Sequence, residues 1–299
     1  DDNTTGGSNT AVGASALRRN TTASSNTAVG YQAGFSNTTG ANLVAVGESA
    51  AANSTTGNNN IAMGVASLLN NTTGASNLAI GTSALRSNTT ASNNTAVGYQ
   101  AGYNLTNAGG QTGRNTFVGM EAGYNSNGDI NTFVGQGSGS LMTSGRSNTI
   151  LGRYTGNQGG LDIRTSSNYI VLSDGDGNPR LVITSGGDIR VPATYNQTTG
   201  SGANMVVDSG GNFQRSTSSL RYKNTVNDAT HGLTELMTLR PVTYKGNNDG
   251  DTVYGGLIAE EVHDAGLTEF VTYNDDNEPD ALAYSNMVSL CIKAIQELS

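Results

Sequence analysis

Nine glycines recur almost evenly along the first half of the chain: Gly13, Gly30, Gly47, Gly64, Gly81, Gly98, Gly119, Gly135 and Gly152. Five successive intervals are 17 residues, and the next three are 21, 16 and 17. Each glycine closes a motif of the Asn-Thr-Ala-Val-Gly type. Self-similarity at so short a period means one small unit stacked along an axis, not a globule.

Alignment on the glycines gives columns. Immediately before them stand Val12, Val29, Val46, Met63, Ile80, Val97, Val118, Val134 and Leu151. Three before them stand Thr10, Thr27, Val44, Ile61, Leu78, Thr95, Thr116, Thr132 and Thr149. Side chains alternate along a strand, so these two columns share one face. The other face carries Ala11, Ala28, Ala45, Ala62, Ala79 and Ala96, then Phe117, Phe133 and Ile150. With both faces apolar, one fills the coil interior and the other needs a partner, for which a neighbouring chain is the simplest choice.

A second strand or turn follows each glycine, with Ala16, Ala33, Ala50, Ala84, Ala101 and Ala122 at one offset. Asn/Thr turns such as Asn20-Thr21-Thr22 and Asn71-Thr72-Thr73 come next, where stacked asparagines form side-chain ladders. At about 4.8 Å per coil, nine coils make a shaft of roughly 40 Å. The insertion after Gly98 and the change from alanine to phenylalanine predict a widening or a change in chain packing. Tyr31, Tyr99, Tyr103 and Tyr124 read as exposed turn residues, with sugar stacking as the functional alternative.

Composition narrows the function classes. Charged residues are 13%, net charge is −8, and no basic stripe is present, which argues against nucleic acid as a partner. One cysteine, Cys291, permits no intrachain disulfide. No apolar run is long enough to insert in a membrane, and no signal peptide is visible. No cofactor or metal is expected. Asp174, Asp176 and Asn178 have the spacing of a calcium loop but lack its distal glutamate. The chain opens inside a repeat, as a fragment would.

The period is lost over residues 157–217, where short apolar runs alternate with Asp-Gly and Gly-Gly turns, the pattern of hairpins. The last segment carries Met287, Cys291, Ala294 and Leu298 at alternating four- and three-residue steps, with Val288, Leu290 and Ile295 beside them. This predicts a coiled-coil helix with Cys291 as a small core residue, its pattern still running at Ser299.

Four ordered blocks stand within residues 218–299: Ser218-Ser219-Leu220-Arg221-Tyr222-Lys223, Leu239-Arg240-Pro241-Val242-Thr243-Tyr244, Gly255-Gly256-Leu257-Ile258-Ala259-Glu260-Glu261-Val262, and Tyr284-Ser285-Asn286-Met287 running to Leu298. Together they resemble the intramolecular chaperone domain of phage tail fibres and tailspikes, the peptidase S74 family. The resemblance implies a module that trimerises, helps its upstream fibre to fold, and cuts itself off with a Ser/Lys dyad. The family pattern Ser-Asp-x-Arg-x-Lys maps Ser218 to the nucleophile and Lys223 to the base, with Arg221 in the cationic surroundings. Ser219 departs from the usual Asp, and the implied cut lies between Ser218 and Ser219. From spacing alone, Arg221 and Lys223 read as solvated surface charges. His231 and His263 form no triad, and Glu260 and Glu261 read as helix-start carboxylates.

The expected fold is mainly β: a trimeric stacked parallel β-roll or β-helix shaft over residues 1–156, a β-rich neck over 157–217, and an α+β chaperone over 218–299. The coils also resemble the head repeats of trimeric autotransporter adhesins. The expected function is a phage-type tail fibre in the virion tail. It would act as a homotrimer that contacts other tail proteins and a host glycan or outer-membrane receptor. Its only enzymatic act would be self-cleavage as a serine endopeptidase, releasing the chaperone in the host cytoplasm. A bacterial trimeric surface adhesin and a polysaccharide-degrading tailspike are the alternatives.

Overall fold

The computed structural model describes residues 2–106, 113–192, 205–207, 213–215, 220–247, 250–274 and 276–299. The chain divides into two compact units, Asp1–Gly200 and Ser201–Ser299.

The first unit is a parallel β-solenoid. Nine three-residue strands precede the nine glycines: β1 (Thr10–Val12), β2 (Thr27–Val29), β3 (Val44–Val46), β4 (Ile61–Met63), β5 (Leu78–Ile80), β6 (Thr95–Val97), β7 (Thr116–Val118), β8 (Thr132–Val134) and β9 (Thr149–Leu151). Each pairs in parallel with the next, so that Ala28 lies beside Ala45 and Phe117 beside Phe133. The middle residues of β2 to β9 are fully buried and form the interior column, while the flanking residues face outward, half-buried or exposed. After each glycine the chain makes turns instead of a second strand. These turns are still tied coil to coil, as where the Leu17 N–H donates to the Ala33 carbonyl at 3.0 Å.

The corner glycines explain the repeat. From Gly13 to Gly135 their φ lies between 124° and 137°, backbone that side-chain-bearing residues rarely adopt. A Cβ at any of them would come within 2.2 to 2.7 Å of the next corner glycine's carbonyl oxygen. The glycines therefore stack backbone on backbone.

The structure accommodates the change from alanine to phenylalanine with smaller neighbours inside the coil. Where the strand contributes Ala, the fourth residue after the glycine can be Leu, as at Leu68 and Leu85. Where it contributes Phe, that position is glycine. A Cβ on Gly123 would lie 2.6 Å from the Phe117 ring, and one on Gly139 would lie 2.4 Å from Phe133. The two rings stack with centroids 5.4 Å apart.

Two asparagine columns are buried inside the coils. In the first, each side-chain carbonyl accepts the backbone N–H of the equivalent residue one coil on: Asn77 donates to Asn60, Asn94 to Asn77, Asn115 to Asn94, Asn131 to Asn115 and Asn148 to Asn131, all at 2.9–3.0 Å. The second is the expected ladder at the Asn/Thr turns, where Asn37 Nδ2 donates to Asn20 Oδ1 and Asn88 Nδ2 to Asn71 Oδ1.

Beyond β9 the chain makes a small hairpin of β10 (Asn157–Gln158) and β11 (Leu161–Asp162). It then returns to the same sheet: β12 (Ile170–Ser173) pairs in parallel with β9, and β13 (Pro179–Ile183) and β14 (Ile189–Arg190) follow antiparallel. Tyr154 lies fully buried here, its hydroxyl donating to the Leu161 carbonyl at 2.8 Å.

The second unit contains the hairpin β15 (Met205–Val207) and β16 (Phe213–Arg215), then an α+β arrangement. Helix α1 (Leu233–Leu236), strands β17 (Val242–Tyr244) and β18 (Tyr254–Gly256), helix α2 (Ala259–Asp264), strands β19 (Val271–Tyr273) and β20 (Pro279–Leu282) and helix α3 (Val288–Leu298) follow in order. Val262, Leu267, Phe270, Met287 and Leu290 form its core. Glu297 of α3 accepts the Leu233 N–H at 2.7 Å, tying α3 to α1.

Gly119→Ala should cost about 2 kcal/mol or more, because it adds left-handed strain to a backbone collision. Gly7→Ala, where a Cβ meets nothing within 4 Å, should be close to neutral. Guanidinium unfolding midpoints of the two variants check this.

Candidate functional site

The most extensive unpartnered feature is the outer face of the strands. The residue before each corner glycine projects outward, and Val12, Val29, Met63, Val134 and Leu151 are exposed. Leu172 of β12, paired with Leu151, continues the column, and Ile170 of β12 and Ile189 of β14 extend the neighbouring column of the same face, all three exposed. Apolar patches this continuous mark interaction surfaces on soluble proteins. The repeat makes the column continuous, because each strand pairs in register with the one before.

The second unit shows a comparable surface. Met287, which caps α3, and Leu290 belong to the unit's own core and Ala294 is also buried, whereas Val288, Ile292, Ile295 and Leu298 are exposed. Cys291, expected to be a core residue, is exposed. It lines an apolar groove of about 560 Å³ with Leu236, Met237, Leu239, Pro241, Leu257, Tyr284, Met287 and Val288. The spacing that predicts one seam serves two faces: helical periodicity cannot say which stripe meets the unit's own core.

Ser218 of the expected dyad, and Ser219 with it at the expected cleavage site, lie outside the described residues. Leu220–Tyr222 form one 3-10 turn, closed where the Lys223 N–H donates to the Leu220 carbonyl at 3.1 Å. Arg221 and Lys223 are both exposed.

Other polar groups have structural partners. Glu260 and Glu261 sit in the first turn of α2, and Glu261 pairs with Arg240. His231 Nδ1 lies 2.7 Å from Glu269, whose hydrogen bond raises the His231 pKa. His263 Nδ1 lies 2.8 Å from the Tyr273 hydroxyl. Burial, followed by the nearby Asp162 charge, pushes the Tyr154 hydroxyl's pKa upward.

The Asp174 loop is a satisfied turn. The Asp174 carboxylate accepts the N–H groups of Asp176 and Asn178, at 3.0 and 2.9 Å, and pairs with Arg180. The Asn178 N–H first, and Arg180 second, hold its pKa at about 2, well below the usual carboxylate range. Among the described residues no three His, Cys, Asp or Glu side chains gather where they could hold a metal ion. Among the same residues no helix is long and apolar enough to cross a membrane.

Of the tyrosines, Tyr31 and Tyr99 are exposed on separate corners, and Tyr103 and Tyr124 stack on one another. A cavity of about 220 Å³ beside Tyr124 is lined also by Gln100, Glu121, Asn125, Ser140 and Leu141. Gln100 and Ser140 carry no motif that would single them out in the sequence; only coil stacking places them together.

Comparison with protein-family models, curated proteins and solved structures gave no match.

A carboxyl with a depressed folded-state pKa contributes stability that is present above its unfolded value and lost as pH falls through the folded one. For Asp174 that window runs from 3.8 down to about 2. Asp174→Asn should therefore flatten the acid dependence of unfolding in this window, and a carboxyl NMR titration of the parent protein should place Asp174 near its lower end.

Proposed function

We propose that the chain is the shaft and chaperone region of a phage-type tail fibre or tailspike. It assembles as a homotrimer, acts in host attachment, and self-processes at Ser218. The observation that carries this reading is the in-register apolar column on the outer face of β1–β9 and β12. Three chains packed through that column would bury a surface that each alone leaves in water. The exposed face of α3 gives the C-terminal unit a second surface for association, consistent with a module that sets chain number and register before the coils pair. Stacked coils gain little until neighbours are in place, and long-range β pairing is slow, so local trimerisation would speed folding.

Self-cleavage follows from the resemblance of residues 218–299. A solvated lysine ammonium keeps its proton at neutral pH and cannot serve as a base. Lys223 is exposed in the single chain, so its desolvation has to come from assembly. Cleavage would then report a completed trimer. A polysaccharide-degrading role is less well supported. Glu48 and Glu121, the only acidic residues from Gly13 to Asn127, lie four coils apart, about 19 Å at the usual strand spacing. Glycosidase carboxylates stand roughly 5–9.5 Å apart.

Sedimentation of the full-length Ser218→Ala variant should give three times the 30.6 kDa chain mass, and a monomer at micromolar concentration would remove the assembly reading. Val97 faces outward, so Val97→Asp should leave the coils folded by circular dichroism yet lower the trimer fraction at least tenfold.

On a denaturing gel the refolded parent should yield an N-terminal product of about three quarters of the chain mass, from the position of Ser218 among 299 residues. Ser218→Ala and Lys223→Ala should stay full length while trimeric, and Arg221→Ala should cut slowly. Cutting in Ser218→Ala would refute the nucleophile.

A further inference from the structure

One wall of the solenoid carries a feature that neither assembly nor processing uses. The fifth residue after each corner glycine forms a column reading Arg86, Tyr103, Tyr124 and Ser140 in successive coils. The Arg86 guanidinium carbon lies 5.6 Å from the Tyr103 ring centroid. The Tyr103 and Tyr124 rings lie 5.1 Å apart and 5° from parallel. The stack then stops, because Ser140 has no ring to lay on Tyr124. The second residue after the glycine changes at the same step. Gln100 and Glu121 occupy it in adjacent coils, both with left-handed backbone, at φ 54° and 57°, and Gly137 follows. Two small residues in one coil thus open the 220 Å³ cavity at the end of an aromatic stack, with Gln100, Glu121 and Asn125 on its walls. Asn125 is held in place, accepting from Asn104 Nδ2 at 2.9 Å and donating to the Ser140 carbonyl at 3.1 Å.

We infer that this cavity is a carbohydrate subsite that takes one neutral hexopyranose ring of a longer glycan. At about 220 Å³ it is smaller than the roughly 300–1,000 Å³ of pockets for drug-sized ligands, which limits it to one ring of a longer glycan. A pyranose offers an apolar C–H face, which stacks on an aromatic ring supported from behind, and a rim of hydroxyls. Those hydroxyls need acceptors and donors in reach: the Glu121 carboxylate accepts from two of them, and the Gln100 and Asn125 amides both accept and donate. The Glu121 charge, in a chain of net charge −8, selects against uronic and sialic acids. The subsite lies on a turn wall, away from the outward apolar column of the strands. It gives the proposed attachment role a ligand and rests on that reading for its biological meaning, though not for its chemistry.

The test is saturation-transfer NMR on the full chain with neutral tetrasaccharides of glucose, galactose and mannose, and tetragalacturonic acid as the charged comparison. At least one neutral sugar should show transfer, with weak affinity, and the acidic one should not. Tyr124→Ala removes the platform and should weaken binding about tenfold. Ser140→Tyr continues the ring column into the cavity and should abolish binding while leaving the melting temperature equal or higher. Glu121→Gln should weaken the neutral sugar and admit the acidic one. Absence of transfer from all three neutral sugars, or transfer unchanged in Ser140→Tyr, overturns the assignment. Sedimentation of the same samples separates the two ideas. A trimer that binds no sugar ends only the subsite, and a monomer that binds one ends only the assembly reading.

Discussion

The solenoid depends on a column of positions that can bear no side chain. At each corner the glycine backbone lies against the glycine of the next coil, with the carbonyl where a Cβ would be. This close approach fixes both the turn and the rise, and it leaves little freedom to slip in register. Once the corners stack, every other position in the coil stacks as well. A single residue choice then becomes a column: an alanine interior, a valine exterior, a line of buried asparagines.

Such a thin coil has little apolar area to bury. An interior alanine methyl contributes less than about 1 kcal/mol, against roughly 1.5–3 kcal/mol for a large side chain. Much of the cohesion therefore falls to hydrogen bonds between coils, and the buried asparagines extend the backbone ladder with side-chain rungs. These bonds are worth modest amounts when made and cost about 1–3 kcal/mol when one partner is left alone in the interior. The second ladder shows that cost where it is interrupted. Asn37 Oδ1 and Asn88 Oδ1 are buried without a hydrogen-bond partner, and the next coils supply Ser54 and Leu105 at those positions.

The stacked parallel coils were legible because the glycine spacing is a physical constraint written directly in the chain. So was the sorting of alanines and valines onto opposite faces, since alternation along a strand is geometric, but which face turns inward is settled only by the burial of the alanine column. The accommodation of the phenylalanine coils was hidden because the compensating glycines, Gly123 and Gly139, stand several residues away and meet the rings only after folding. The backbone-capping asparagines were hidden because Asn before a strand reads as an ordinary turn residue. The environment of Cys291 was not legible because α3 has apolar residues on two faces, only one of which meets the unit's own core. The cavity beside Tyr124 follows from what is small in one coil and large in its neighbour, a relation that no local motif contains.

Gly102, the fourth residue after the corner Gly98, stands where the two kinds of coil meet. It sits between Leu85 of one coil and Phe117 of the next, with 2.8 Å from its absent Cβ to each. The coil that carries it still contributes Ala96 to the interior, yet it already offers the vacant space that a ring requires. It is an adapter between two packing dialects. Whole coils could be lost or duplicated on either side of it by recombination at the 17-residue period, with each new joint resembling the old. Deleting the adapter itself would press Phe117 against Leu85. The length of the solenoid is thus free to vary in unit steps within each segment, while the junction between segments must be inherited intact.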